Sequence, residues 1–309
     1  MPSLHVLLNS RSGTATLTSA ELRERFEALG YEVTVDDDHR RPFPARLRKA
    51  RESSADVLVA AGGDGTVTAL AQVAAETDRP LLVVPFGTAN LLARDLALPL
   101  DVESWLAALP DFVERRIDLG RVNGQLFIHK VVIGFVPGIA AAREKIRGVA
   151  AIGAQLAFVG YAMRRILRAR RIALELTRDD QPPHIDRLQA VAIANNHYDE
   201  AFGHFFSRAT LDGGHLSVYK LQSITPLKAV GLALGVFLGR WQDDAALTIE
   251  TAETLTIRSR RRRLKVMLDG EVETLMTPLV FTVEKQKLRL LAPPVAAADD
   301  AKPDVEAAA

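Results

Sequence analysis

The sequence predicts an α/β domain built on a parallel sheet, followed by a second domain that is mostly antiparallel β. Three observations predict it. Up to residue 112, short apolar and β-branched runs alternate with helix-favouring stretches, the pattern of a parallel sheet covered by helices. Beyond that point the pattern changes, and Asn123-Gly124 sits between apolar segments as a type I′ hairpin turn. The chain has 309 residues, 48% hydrophobic and 25% charged, which is enough for two cores.

In order, residues 4–8 read as a strand, and Thr18-Ser19-Ala20-Glu21 is a capping box opening a helix that ends near Gly30. Residues 31–35 form a second strand, 44–52 a helix and 56–61 a third strand. A glycine-rich turn and a helix come next, then a fourth strand at 80–85. The second domain begins with strands at 115–122 and 125–135 flanking the Asn-Gly turn, then a helical stretch over 138–171. Strands resume at 172–177, 188–195 and 216–221, with a helix near 226–238. Six more are expected at 247–250, 254–259, 264–268, 271–275, 279–283 and 287–291. From Pro293 the chain is alanine, aspartate and proline, a composition unable to build a core, so 294–309 reads as a disordered tail.

A formal net charge of +1 gives no global field for nucleic acid, so no nucleic-acid partner is expected. The absence of cysteine excludes disulfides and thiolate metal sites, and fits a reducing compartment. The start, MPSLHVLLNSRSG, lacks the charged and apolar regions of a signal peptide. The most apolar segments, 149–163 and 229–239, fall short of the roughly 18–20 residues of a membrane-spanning helix. A cytoplasmic protein, peripheral at most to the inner face of a membrane, is expected.

The chemistry concentrates in VLVAAGGDGTVTALA, residues 57–71. An apolar strand runs into Gly62-Gly63-Asp64-Gly65-Thr66 and then a helix, so glycine amides and a helix N-terminus face any anion bound there. No lysine follows Gly65, which excludes the P-loop, and the third glycine of a dinucleotide fingerprint is missing. An aspartate among phosphate-facing amides has to hold a metal ion, accept a proton or bond a sugar hydroxyl. A second strand ends likewise in Gly87-Thr88-Ala89-Asn90, and the first in Asn9-Ser10-Arg11-Ser12-Gly13. Parallel strands place all three turns at one carboxyl edge, where ligands of open α/β sheets bind. The plainer roles are helix capping by Thr88 or Asn90 and pairing of Arg94 with Asp95 on a solvated face.

GGDGT at 62–66, PFGTANLLARDLALP at 85–99 and the opening NSRSG together resemble the diacylglycerol kinase catalytic family, which includes bacterial lipid kinases and sphingosine kinases. NAD kinases share the GGDG loop and the architecture, but the GTANLLAR stretch is similar to the lipid kinases instead. The resemblance spans residues 4–293. It implies an N-terminal doubly wound parallel-sheet nucleotide-binding domain (1–114), a C-terminal antiparallel β-sandwich (115–293) and ATP in the cleft between them. It further implies Mg²⁺ with ATP as co-substrate, a lipid acceptor at a membrane surface, and a fold compatible with a homodimer. By position, Asn9, Ser10, Arg11, Ser12, Gly13, Gly62, Gly63, Asp64, Gly65, Thr66, Val67, Thr68, Gly87, Thr88 and Asn90 would line the ATP site. No nucleotide contact carries over to Asp36-Asp37-Asp38-His39, which stands where the family often has a threonine.

Asp269-Gly270-Glu271 is, on its residues alone, a favoured two-residue hairpin turn. It matches the family's DGE motif, which supplies the carboxylate that accepts the lipid hydroxyl proton. Asp269 and Glu271 are both candidates, with Asp64 a third. The segment ATLDGGHL at 209–216 resembles the place where bacterial members hold a structural magnesium, but Gly213 stands where the usual aspartate does, leaving Asp212 as the carboxylate. Arginines gather at 164, 165, 168, 170 and 171, and again at 258 and 260–263, as solvated faces or as surfaces for anionic headgroups.

Overall fold

The computed structural model describes residues 1–9, 17–145, 157–158, 161, 164–165, 168–199, 208, 210–222 and 247–295. The helix expected near 226–238 and the tail beyond 295 lie outside them. Strands β1 (Ser3–Leu8), β2 (Glu32–Asp36), β3 (Val57–Gly62) and β4 (Leu81–Pro85) form a parallel sheet in the order β2-β1-β3-β4. Strand β3 is buried along its whole length, as its unbroken apolar run requires for a strand covered on both faces. Helix α1 (Ser19–Ala28) carries the expected capping box on Thr18 and buries Leu22 and Phe26. Helices α2 (Phe43–Glu52) and α3 (Asp64–Thr77) pack against each other and the sheet. Past α4 (Leu91–Asp95), α5 (Val102–Ala108) adds Trp105, whose ring meets Phe26 edge-on in the core.

Two long strands join this layer to the second. Strand β5 (Val113–Val122) runs beside the C-terminal β16 (Leu279–Ala292) in antiparallel register, broken by an irregularity between Glu284 and Leu288. The end of β16 pairs in parallel with β4, while its start pairs with β13 (Thr254–Arg258). One continuous sheet therefore crosses both halves of the molecule, and its second wing is completed by β8 (Ile172–Arg178) and β9 (His184–Leu188). The expected strands at 279–283 and 287–291 are one strand, and residue 114 lies near the start of β5.

Facing this wing is an antiparallel sheet in the order β12 (Leu247–Ala252), β11 (Leu216–Leu221), β10 (Ala190–Asn195), β7 (Lys130–Gly134), β14 (Arg263–Leu268), β15 (Glu271–Met276). Side chains such as Ile133, Ile193, Val218 and Val266 meet Leu176, Ile257 and Phe281 of the wing in a separate core. The expected strand 125–135 is split: β6 (Gln125–Phe127) pairs with β5 in one sheet, and β7 belongs to the other. The break at Ile128 and His129 lets the chain change sheets, and the strand expected at 188–195 divides in the same way after Leu188. Helix α6 (Val136–Lys145) follows β7 and packs on β7, β14 and β15.

Candidate active site

The glycine turn lies where β3 passes into α3. Gly63 is the N-cap, with extended backbone, and its carbonyl accepts the amides of Thr66 and Val67. The opening turn of a 14-residue helix thus points at the carboxyl edge of the sheet, which suits an anion. Gly62 packs so closely under Thr66 that a Cβ on it would lie 2.9 Å from the Thr66 hydroxyl. That hydroxyl accepts a hydrogen bond from Asn9 Nδ2 at 3.0 Å, so the end of β1 is tied to the same turn. Thr68 is half-buried in α3, while Val67 belongs to the core. Ser10, Arg11, Ser12 and Gly13 lie outside the described residues.

Asp64 spends its carboxylate on the neighbouring turn. Oδ1 accepts the Leu91 amide at 2.7 Å and Oδ2 the Asn90 amide at 3.2 Å, which caps the short helix α4 from another loop. Asn90 does not cap it. In the left-handed region, at φ 49°, its side chain accepts from the Gly87 amide and donates to the Pro85 and Gly87 carbonyls, fixing the GTAN turn from within. A Cβ on Gly87 would lie 2.7 Å from Gly63 Cα, so the two turns touch backbone to backbone. Thr88 stands exposed at the rim.

The second layer reaches this place through the β14–β15 hairpin. Asp269 and Gly270 both have positive φ, 44° and 97°, as a type I′ turn requires. This turn presents Glu271 to the first domain, with Oε1 3.2 Å from where a Cβ on Gly65 would sit. A side chain at position 65 would meet that carboxylate. The Asp269 carboxylate is held by backbone: it accepts the amides of Ile128, His129 and Lys130 at 2.7, 2.9 and 2.9 Å. Burial pushes its pKa up, against the pull of those three amides and of Arg208. Of the two carboxylates of this turn, Asp269 holds the β6–β7 break in place.

Behind the hairpin lies a cluster of charge that sequence reasoning did not find. Asp95 at the end of α4 pairs with Arg208, whose Nη2 and Nε reach Oδ2 at 2.6 and 3.0 Å, with both side chains almost fully buried. Arg208 also donates to the carbonyls of Ile128 and Asn195 and touches His129 Nδ1 at 3.0 Å. Arg94, the partner expected for Asp95, instead donates to the Ala89 carbonyl. Burial, aided by Arg208, pushes the Lys130 ammonium down to about 8 and holds His129 well below its usual value. Asp95 and Arg208 lie 113 residues apart, and nothing local in the sequence marks them as partners.

Asp212 is exposed, and no group of three His, Asp or Glu side chains able to hold a metal occurs among the described residues. The segment is pinned by Asp118, whose buried carboxylate accepts from the Gly214 amide at 2.6 Å, the Gln286 amide at 2.8 Å and Asn196 Nδ2 at 3.2 Å.

Residues 3–122 match the diacylglycerol kinase catalytic domain, and residues 136–292 match the YegS C-terminal NAD kinase beta sandwich-like domain. A Pseudomonas aeruginosa PAO1 protein named "Probable lipid kinase YegS-like" is 30% identical over 275 residues, 87% of each chain. The protein of Bacillus subtilis 168 named "Diacylglycerol kinase" is 34% identical over 138 residues, 42% of this chain and 45% of that one. In fold, the chain is similar to the crystal structure of a diacylglycerol kinase from Bacillus anthracis Sterne, with a TM-score of 0.69 at 17% identity over 96% of this chain and 98% of that one.

Proposed function

The chain belongs to the diacylglycerol kinase catalytic domain family, and from that premise we propose that it is an ATP-dependent lipid kinase acting on diacylglycerol to give phosphatidic acid. One observation carries the reading: a carboxylate of the β-rich layer, Glu271, stands over Gly65 at the start of the α3 turn. The N-terminus of α3, set against the Gly87–Asn90 turn by the Asp64 carboxylate, would form the phosphate cradle. In transfer, the lipid hydroxyl oxygen forms a bond to the γ-phosphorus while the bond to the β,γ-bridging oxygen breaks and ADP leaves. Glu271 takes the hydroxyl proton as that bond forms. Mg²⁺ would arrive with the ATP phosphates, keeping several waters and needing one or two carboxylates, and Asp64 and Glu271 are the carboxylates beside the turn. When bound, it neutralises phosphate charge.

The test is a labelled-ATP assay on diacylglycerol micelles, with NAD as a soluble acceptor for comparison. Label should enter the lipid and not NAD. Glu271→Gln should lower turnover by about 100-fold or more at unchanged stability, as loss of a general base does. Asp269→Asn should instead lower stability, because the amides of the β6–β7 break lose a charged acceptor. ATP binding without label transfer to any lipid, or wild-type turnover in Glu271→Gln, would end this reading.

A further inference from the structure

Glu271 is exposed and makes no hydrogen bond or ion pair among the described residues, so its own contacts do not hold it over Gly65. Its position depends on how the second layer is set against the first. The backbone crosses between the layers in β5 and again in β16, and these strands are neighbours, with an irregularity between Glu284 and Leu288. The twist between neighbouring strands ranges from about −10° to −35°. A two-stranded connection therefore leaves rotation between the layers to be fixed elsewhere.

A closed circuit of contacts beside the cleft fixes it. At the α3 turn, Asp64 accepts the Asn90 and Leu91 amides and so holds the start of α4. That helix is five residues long, and its last residue, Asp95, accepts Nε, Nη2 and the amide of Arg208 at 3.0, 2.6 and 3.1 Å. Arg208 belongs to the second layer, where its guanidinium lies over the Tyr198 ring at 6.0 Å and Nη1 donates to the Ile128 and Asn195 carbonyls. Ile128 in turn donates its amide to Asp269 at 2.7 Å, and Asp269 and Gly270 make the turn that presents Glu271 to Gly65. Arg208 is the bridge between the layers, and its side chain is 1% exposed. Neither it nor Asp95 belongs to the turns that face the phosphates.

We propose that Arg208 is a positioning residue for phosphoryl transfer: through Asp95 on one side, and Ile128 and Asp269 on the other, it sets the distance and angle of Glu271 to the α3 turn. The proposal rests on the lipid-kinase reading, in which Glu271 takes the proton of the acceptor hydroxyl. A planar guanidinium suits the task, since Nε and Nη2 engage the carboxylate along one edge while Nη1 remains for the carbonyls. Loss of the bridge leaves the phosphate turns as Asp64 holds them within the first layer, and moves the base. A misplacement of about 1 Å at the reacting groups costs about 100-fold in rate.

The test uses Asp95→Leu/Arg208→Met, which removes both charges together and leaves no buried carboxylate unpaired. Turnover on diacylglycerol should fall by up to about 100-fold, while ATP affinity measured by calorimetry is unchanged. A purely structural role would move both together, or neither once stability is restored. Arg208→Lys keeps the charge opposite Asp95 without the planar fork and should show intermediate turnover. A second measurement needs neither ATP nor acceptor. The chain has no cysteine, so Ala107→Cys in α5 and Thr274→Cys in β15, both exposed, take spin labels at these two positions alone. Pulsed electron paramagnetic resonance should give one narrow distance between them, broadened or displaced when Asp95→Leu/Arg208→Met is added. A wild type that transfers no label to any lipid ends the kinase reading, whereas the distances by themselves decide whether Arg208 sets the layers. Unchanged distances, wild-type turnover in the double variant, or a loss of ATP affinity equal to the loss of turnover would overturn the proposal.

Discussion

Arg208→Met should be the most destabilising single change at the junction of the two layers. The arginine side chain supplies two hydrogen bonds to Asp95 and one each to the Ile128 and Asn195 carbonyls. Without it the Asp95 carboxylate, whose side chain is 2% exposed, is a buried charge without its counterion. Removing one member of such a pair costs about 3–5 kcal/mol, with about 1 kcal/mol for each carbonyl bond lost already within that range. Against a typical total of about 5–15 kcal/mol, this is a large fraction. The double variant Asp95→Leu/Arg208→Met removes both charges and should recover more than half of the loss. Urea unfolding followed by circular dichroism measures each corner of the cycle. The cost should also depend on pH. Without Arg208, burial alone raises the folded pKa of Asp95 above its unfolded value, so the penalty is small in acid and grows as pH rises through that window. A loss below about 1 kcal/mol, or additive single and double variants, would refute the account of this pair as a buried, coupled latch.

Three further outcomes follow from the site. Asp64→Ala leaves the Asn90 and Leu91 amides without their acceptor and should cost about 1–2 kcal/mol, the usual price of a lost helix cap, along with weaker ATP binding; urea midpoints and calorimetry check both, and unchanged values would show that the two turns hold together without it. Gly87→Ala puts a methyl group 2.7 Å from Gly63 Cα, where only backbone can yield, and should destabilise by about 1–3 kcal/mol; a wild-type melting temperature would contradict the close approach. Lys130 binds its proton more weakly in the folded state, at about 8 against an ordinary value near 10.5, so between these pH values the unfolded chain holds more protons and stability rises with pH. Wild type should therefore gain on Lys130→Met across that window in thermal melts, and a pH-independent difference would rule out the buried ammonium.

The sequence by itself determined what depends on neighbours along the chain. The capping box at Thr18, the buried run of β3, the glycine turn at 62–66 and the Asp-Gly hairpin each follow from local backbone preferences and from one period of side-chain burial, so their positions were legible. The two motif loops could also be placed at one edge, because parallel strands allow no other arrangement. Pairings across long separations were decided only by the tertiary structure. No local pattern tells that Asp64 caps a helix in the next loop, that β5 and β16 run through both layers, or that Asp269 grips three amides near residue 128. The structure also separates Glu271 from Asp269, two residues apart in one turn, by pointing one carboxylate at Gly65 and burying the other among backbone donors. Hydrogen bonds and charge pairs of this kind depend on which surfaces meet, and the chain establishes that only when its two layers close on each other.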